Sequence, residues 1–187
     1  MPIVMEPKVA KVIAATLELV NHHGYRKVTM GDIAEAADIS RPTPYAAFAN
    51  KEAIMAALVE HLTERCATES AKRLAHQRSL KGRLRALFDV YVVEPFELAA
   101  NNPNGRDLID NIGTYVPDAI AAFYVRFESE LLAALAPEMR GKRALPASDL
   151  AHLLVLAAKS LKVSAASLPE LRHLMDGLIV MALATAA

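Results

Sequence analysis

The chain predicts an all-α fold: a small N-terminal three-helix head of helix-turn-helix type, followed by a larger C-terminal helical bundle. Three observations carry that expectation. The 187 residues include only 7 glycines, with Ala and Leu abundant and β-branched runs short. Apolar residues recur at three- and four-residue steps along most of the chain. The stretch from Thr29 to Glu52, TMGDIAEAADISRPTPYAAFANKE, parses as two short helices joined by a tight turn and then the capped start of another. Two helices joined that closely can set the second one in a DNA groove.

The elements follow in order. Val9, Val12, Ile13, Thr16, Leu17 and Val20 give one apolar stripe, so Lys8 to His22 reads as an amphipathic helix. Gly24 is then expected as its C-terminal αL residue. Thr29 is an N-cap, and Asp32, three residues on, is a short stand-in for the Glu of a capping box. Ile33, Ala34 and Ala37 form the inner stripe of the second helix. Asp38 falls in the turn, where a positive φ is often needed. Ser40 is read as the next N-cap, with Ile39 stapled on Pro44 and Tyr45 and Phe48 following. Pro42 suits a first turn, whereas Pro44 would remove the first backbone bond of that helix, a loss of ~1 kcal/mol. Asn50 caps a helix that continues through Ile54, Leu58 and Leu62.

This stretch resembles the tetracycline-repressor (TetR) family of one-component bacterial regulators. The resemblance rests on Gly24, Thr29, Asp32-Ile33-Ala34, Ala37, Ile39-Ser40, Thr43, Tyr45, Phe48 and Asn50-Lys51-Glu52. It covers about residues 9 to 58. It implies an all-helical homodimer whose heads bind a palindromic operator in double-stranded DNA, and whose body binds a small-molecule effector that releases the DNA. Three departures stand out: Asp38 replaces the usual turn glycine, the second helix carries Pro42 and Pro44, and Ala46 and Ala47 stand where bulkier side chains are common.

The expected DNA-facing residues are Thr29, Ser40, Arg41, Pro42, Thr43, Tyr45 and Lys51. Arg41 can bridge guanine O6 and N7. Tyr45 matches a phosphate-contacting position of the family. Lys51 begins a helix, where a cation is unfavourable, so a phosphate partner is expected for it. Capping alone would explain Thr29 and Ser40. A head that no longer reads DNA, on a helical ligand- or partner-binding protein, is the alternative that the alanines and Pro44 leave open.

Residues 1–52 are assigned to the DNA-binding head and residues 53–187 to ligand binding and dimerisation. The body is read as a helix from Lys51 to about Ala75, one from Leu80 bent at Pro95, a short piece from Asp107 to Tyr115, and a helix from Pro117 to Leu135. A loop from Pro137 to Pro146 follows. Two long helices finish the chain: Ala147 to about Ser164, capped by Ser148, and Leu168 to about Ala184, capped by Ser167. These last two are apolar on more than one face. The extra stripe, represented by Leu153, Leu156, Ser160, Leu171, Leu174 and Leu178, is expected to meet a second copy in a four-helix seam. Phe88, Tyr91, Val92, Phe96, Tyr115, Phe123 and Phe127 are the expected lining of an effector pocket, with plain core as the competing reading. Glu94, beside Pro95, reads as a solvated surface carboxylate.

Composition bounds the rest. Formal net charge is zero, so DNA affinity must come from local placement of charge. Mean hydropathy is +0.22, which fits extra apolar surface at an interface. No run approaches the ~20 apolar residues of a membrane span, and Met1 to Val9 lacks the pattern of a signal peptide, so a cytoplasmic location without membrane attachment is expected. Cys66 is the single cysteine, and His22, His23, His61, His152 and His173 make no chelating pattern, so no metal or cofactor is expected. HExxH, CxxC, GxSxG and phosphate-loop motifs are absent, and enzyme chemistry is set aside.

Overall fold

The computed structural model describes residues 6–139 and 145–186, and every described element is helical. The elements are α1 (Pro7–His23), a short 3₁₀ turn (Tyr25–Lys27), α2 (Met30–Ala36), α3 (Pro42–Ala47), α4 (Lys51–Leu74), α5 (Leu80–Phe88), a π-helical turn (Asp89–Val93), α6 (Glu94–Ala100), α7 (Gly105–Tyr115), α8 (Pro117–Leu135), α9 (Ala147–Ser164) and α10 (Leu168–Ala186). The all-α expectation is met, and α8 and α9 have the boundaries read from sequence. Most of the loop expected between Pro137 and Pro146 lies outside the described residues. No described helix is long and apolar enough to cross a membrane.

The chain divides into two compact units. One comprises Met1–Glu64 with Leu98–Ala121, the other Arg65–Glu97 with Ala122–Ala187. The boundary expected at residue 52 falls at the start of α4. By contact, α7 joins the head unit, and α4, α6 and α8 each contribute to both units.

In the first unit the predicted stripe of α1 is buried through Val12, Ile13, Thr16 and Val20, with α2 packed on α1, and Met30, Ile33, Ala34, Ile54 and Met55 are buried in the same unit. Thr16 satisfies its hydroxyl within its own helix, on the Val12 carbonyl at 2.7 Å. Gly24 has φ 80° and ψ 148°. The positive φ was expected but the αL well was not reached: the chain leaves α1 extended, in a region that glycine enters freely. α7 is fastened to the end of α1 by Asn104. Its N–H donates to the Asn21 carbonyl at 3.1 Å, and its amide donates to the Asn21 and His22 carbonyls at 3.2 and 2.7 Å.

The second unit is built around the helix that sequence reading expected to bend at Pro95. The bend is a π turn. The Glu94 N–H reaches back to the Asp89 carbonyl, and Pro95 has no N–H to offer the Val90 carbonyl. The Cys66 thiol takes that carbonyl instead, at 3.4 Å. Val90, Tyr91, Val92 and Val93 are all buried, with α9 and α10 packed against the turn. Ser148 does not cap α9, since Pro146 stands at the cap position and the Ser148 hydroxyl bonds Asp149 at 3.0 Å. Ser167 does cap α10, accepting from the Glu170 N–H at 3.3 Å while Glu170 accepts from the Ala166 N–H at 2.8 Å.

Candidate nucleic-acid interface

The geometry of the head starts at Thr29. Its hydroxyl accepts from the Asp32 N–H at 3.2 Å, and the Asp32 carboxylate accepts from the Thr29 N–H at 2.8 Å, which closes a capping box. The same carboxylate takes the Thr29 hydroxyl proton at 2.8 Å. These bonds, the backbone one first, hold the Asp32 carboxyl below the usual range. Asp38 makes the turn with φ 53°, the one non-glycine residue with positive φ among the described residues. Short polar side chains tolerate that region better than most, so Asp can replace the family's glycine at modest strain.

α3 begins one residue later than expected. Arg41, not Ser40, borders it, and the Ser40 hydroxyl pairs with the Thr43 hydroxyl at 2.7 Å. The helix is six residues long, and Pro44 is its buried member. Prolines at 42 and 44 carry no N–H, and the Thr43 N–H is used by the Ser40 carbonyl at 2.9 Å. Positions 42 to 44 therefore present no free backbone donor. Outward stand Arg41, Pro42, Tyr45, Ala46 and Ala47, all exposed, with Tyr45 at 60%. Among the described residues Arg41 has no hydrogen-bond or ion-pair partner. Asn50 caps α4 as expected, accepting from the Ala53 N–H at 2.8 Å.

Lys51 corrects the sequence reading. Its ammonium is neither idle nor turned outward. It donates to the Tyr25 and Val28 carbonyls at 2.6 and 2.8 Å and lies 4.1 Å from the centre of the Tyr25 ring. A cation at a helix start is tolerated here because two carbonyls and an aromatic face surround it. Tyr25 in turn donates its hydroxyl to Glu52 at 2.6 Å. That bond depresses the Glu52 pKa, while burial, followed by the bond itself, raises that of Tyr25. The expectation of a phosphate partner is thus replaced by an internal role: Lys51 ties the start of α4 to the end of the 3₁₀ turn.

The residues expected to line an effector pocket separate into two groups. Tyr115 belongs to the first unit, where it stacks on Tyr25 with ring centres 4.0 Å apart. It does not join the others. Phe88, Tyr91, Val92, Phe96, Phe123 and Phe127 lie in the second unit, each at most 3% exposed. Tyr91 stacks on Phe127 at 4.9 Å and leans on Phe123 at 5.4 Å, and Phe88 meets Phe127 edge-on at 5.7 Å. One polar network enters this cluster. Tyr91 donates to Glu130 at 2.8 Å, and Ser70 and Arg126 hold the same carboxylate at 2.5 and 3.0 Å. Glu94 is not merely solvated: Arg73 binds it at 2.5 Å. A groove of about 530 Å³ on the head, lined by Leu19, His23, Lys27, Val28, Asp32, Glu35 and Ala36, carries charges of both signs and does not suit an apolar ligand.

The seam residues also divide. Leu153, Leu156 and Ser160 on α9 are exposed, and Leu174 on α10 is half-buried. Leu171 and Leu178 are buried at 0% and 8%, inside their own unit, and so are not surface residues of this chain. The exposed apolar face of the pair instead includes Val163, Val180 and Met181. The second stripe was real but its phase on α10 was misread.

The fold and head are those of a helix-turn-helix protein. Residues 12–58 match the model of the bacterial regulatory proteins of the tetR family. The HTH-type transcriptional repressor ComR of Escherichia coli (strain K12) is 29% identical over 104 residues, a match spanning 55% of this chain and 49% of that protein. The chain thus spans about half the length of the curated relative it matches. Among solved structures, the fatty acid degradation regulator FadR from Bacillus halodurans is 17% identical, with a TM-score of 0.75, covering 94% of this chain and 96% of that one. FadR from Bacillus subtilis, solved with stearoyl-CoA, is 16% identical, with a TM-score of 0.74 and coverage of 94% and 98%. The likeness to the TetR family of transcription regulators therefore lies in the head, over residues 12–58, and the likeness of the whole chain to the solved structures is one of fold.

Proposed function

We propose that this regulator is a cytoplasmic repressor that binds a palindromic operator as a homodimer and is released by a small apolar or amphipathic effector. The observation that carries the DNA side is the outward face of α3: Arg41 and Tyr45 are exposed while the capping box, Asn50 and Lys51 are fully occupied in holding that face in position. Arg41 is assigned to a base edge and Tyr45 to phosphate, with Thr43 and Pro42 beside them and Thr29 and Ser40 shaping the turn.

A homodimer is supported by the apolar surface of α9 and α10. Leu153, Leu156, Val180 and Met181 are each at least half exposed, which is unusual for large aliphatic side chains on two neighbouring helices. Joined by a two-fold axis, such pairs make a four-helix seam and present two heads to half-sites ~34–36 Å apart. The effector is assigned to the second unit, whose aromatic cluster around Phe88, Tyr91, Phe123 and Phe127 is apolar apart from the Tyr91–Glu130 bond. An acyl-bearing amphiphile is the class we favour, because a neighbour of this fold was solved with stearoyl-CoA. It acts only if it binds the DNA-free arrangement more tightly than the DNA-bound one.

The test is fluorescence anisotropy against DNA flanking the chain's own gene, at two salt concentrations, with and without stearoyl-CoA. Selective, salt-sensitive binding that stearoyl-CoA reverses supports the whole reading. Selective binding that stearoyl-CoA leaves unchanged removes the effector class and keeps the regulator. A folded dimer with no selective binding moves the protein to the alternative class, a helical binding protein with a silent head.

A further inference from the structure

We propose that the operator half-site is read chiefly through thymine methyl groups, by the methyl-bearing face of α3, with guanine recognition confined to Arg41 at its margin. The inference rests on the DNA-binding reading above and names what that site selects.

The argument begins with Pro44. It is the buried residue of α3, so it fixes which side of the helix faces inward. On a helix, positions two before and two after a buried residue lie on the far side. Those positions are Pro42 and Ala46, four apart and both exposed. A second row, Thr43 and Ala47, runs beside them. The third row is Arg41 and Tyr45. Two of the three outward rows therefore consist of a pyrrolidine ring, two alanine methyls and one threonine.

These two rows offer almost no hydrogen bonding. Pro42, Ala46 and Ala47 have no side-chain donor or acceptor. The Thr43 hydroxyl is engaged with that of Ser40 at 2.7 Å. The backbone cannot substitute, because Pro42 and Pro44 lack N–H groups and the Thr43 N–H is held by the Ser40 carbonyl. A surface of this kind cannot sort bases by donor and acceptor pattern. Short side chains do let the helix approach the groove floor closely. The one apolar group that a base pair shows in the major groove is the thymine 5-methyl, and alanine and threonine methyls are its matching partners. The chemistry of the face and the chemistry of the groove meet only there.

The test uses the full chain and a fluorescein-labelled duplex that it selects from a random pool. Each thymidine of the half-site is replaced in turn by deoxyuridine, which deletes the methyl and keeps the base pairing. We expect at least one position per half-site at which this weakens binding about fourfold, the factor that burial of one methyl-sized group corresponds to. The same scan is repeated with Ala46→Gly and with Ala47→Gly. At the sensitive position the thymidine-to-deoxyuridine ratio should fall to about one in one of these variants. That ratio is internal to each protein, so a variant with a weaker head still reports, and the parent scan decides alone if neither variant folds. Selective binding with no deoxyuridine effect at any half-site position, or an effect unchanged in both variants, overturns the methyl reading and leaves the regulator intact. If the chain selects no sequence at all, the regulator reading has failed, and this inference falls with it.

Discussion

Gly105→Ala should be among the most damaging single-methyl additions to this chain, and Gly113→Ala, eight residues along the same helix, should stabilise it. A β-carbon at position 105 would stand 1.6 Å from the Ala99 carbonyl oxygen and 2.4 Å from its carbon. Both atoms are backbone, so no side chain can swing aside. The start of α7 or the Ala99 peptide must move by roughly 2 Å to restore ordinary contact. That peptide also accepts the Asn102 N–H at 3.0 Å. Asn104, the neighbour of Gly105, holds the Asn21 and His22 carbonyls at the end of α1. Overpacking of this sort costs about 1–3 kcal/mol, and one or two weakened hydrogen bonds add about 1 kcal/mol each. For a chain of this size a total near ~3 kcal/mol lowers the melting temperature by roughly 6–12 °C. At Gly113 a β-carbon meets nothing within 4 Å. There the change removes backbone entropy from the unfolded chain and stabilises by about 0.5–1 kcal/mol. Thermal unfolding followed by circular dichroism measures both. A Gly105→Ala protein that melts within about 2 °C of the parent would refute the close approach of Ala99.

Three further outcomes follow from the same geometry. Burial pushes the Cys66 thiol up to about 11 from an ordinary 9.0, so at pH 8 a thiol reagent should label the native chain about 100-fold more slowly than the urea-unfolded chain. Asp32 and Glu52 both titrate below their ordinary values of 3.8 and 4.5, so the stability they give the head is present above about pH 4.5 and is lost as pH falls through their lowered folded values. Thr29→Val and Tyr25→Phe should each flatten that acid limb, as read by urea midpoints between pH 6 and 3. Leu156→Glu and Val180→Glu should convert a dimer into a folded monomer by light scattering, whereas Leu171→Glu, at a fully buried position, should unfold the second unit.

The head was the most legible part of the chain because its signals are local. A capping box spans three residues, a turn residue acts on its own φ, and Asn50 caps the helix that starts beside it. What was missed there is long-range. Nothing near Lys51 announces that its ammonium will meet carbonyls 26 and 23 residues upstream. Reasoning from the helix dipole alone correctly found the charge misplaced and then supplied the wrong partner. Tyr115 failed for the same reason, since its stacking partner is Tyr25, far off in sequence. The residues expected to line an effector site were legible only as composition. Six of the seven expected lining residues do gather or pack in the second unit, but periodicity cannot tell a pocket wall from a core.

The two terminal helices show where pattern reading stops. Counting apolar residues at three- and four-residue steps recovers the period of a helix and even the presence of a second stripe. It does not recover which stripe faces the home core, because that phase is set by neighbours outside the helix. On α9 the choice fell on Leu153 and Leu156, which are exposed. On α10 it fell on Leu171 and Leu178, which the packing of α5 and the π turn claims for the interior. The π turn is itself a phase device. Pro95 removes one donor, the turn inserts one extra residue, and every side chain after Val93 is rotated relative to an uninterrupted helix. A proline therefore does more than bend this helix: it re-aims the face on which Phe96 is buried and leaves a carbonyl to which the thiol of Cys66 donates. Cys66→Ala should then lower stability by about 1–3 kcal/mol, through the stranded Val90 carbonyl and the lost volume together, while Cys66→Ser, whose hydroxyl can still donate, should recover part of it. Equal losses in the two variants, measured by urea unfolding, would show that the Val90 bond contributes nothing and that packing alone holds the turn.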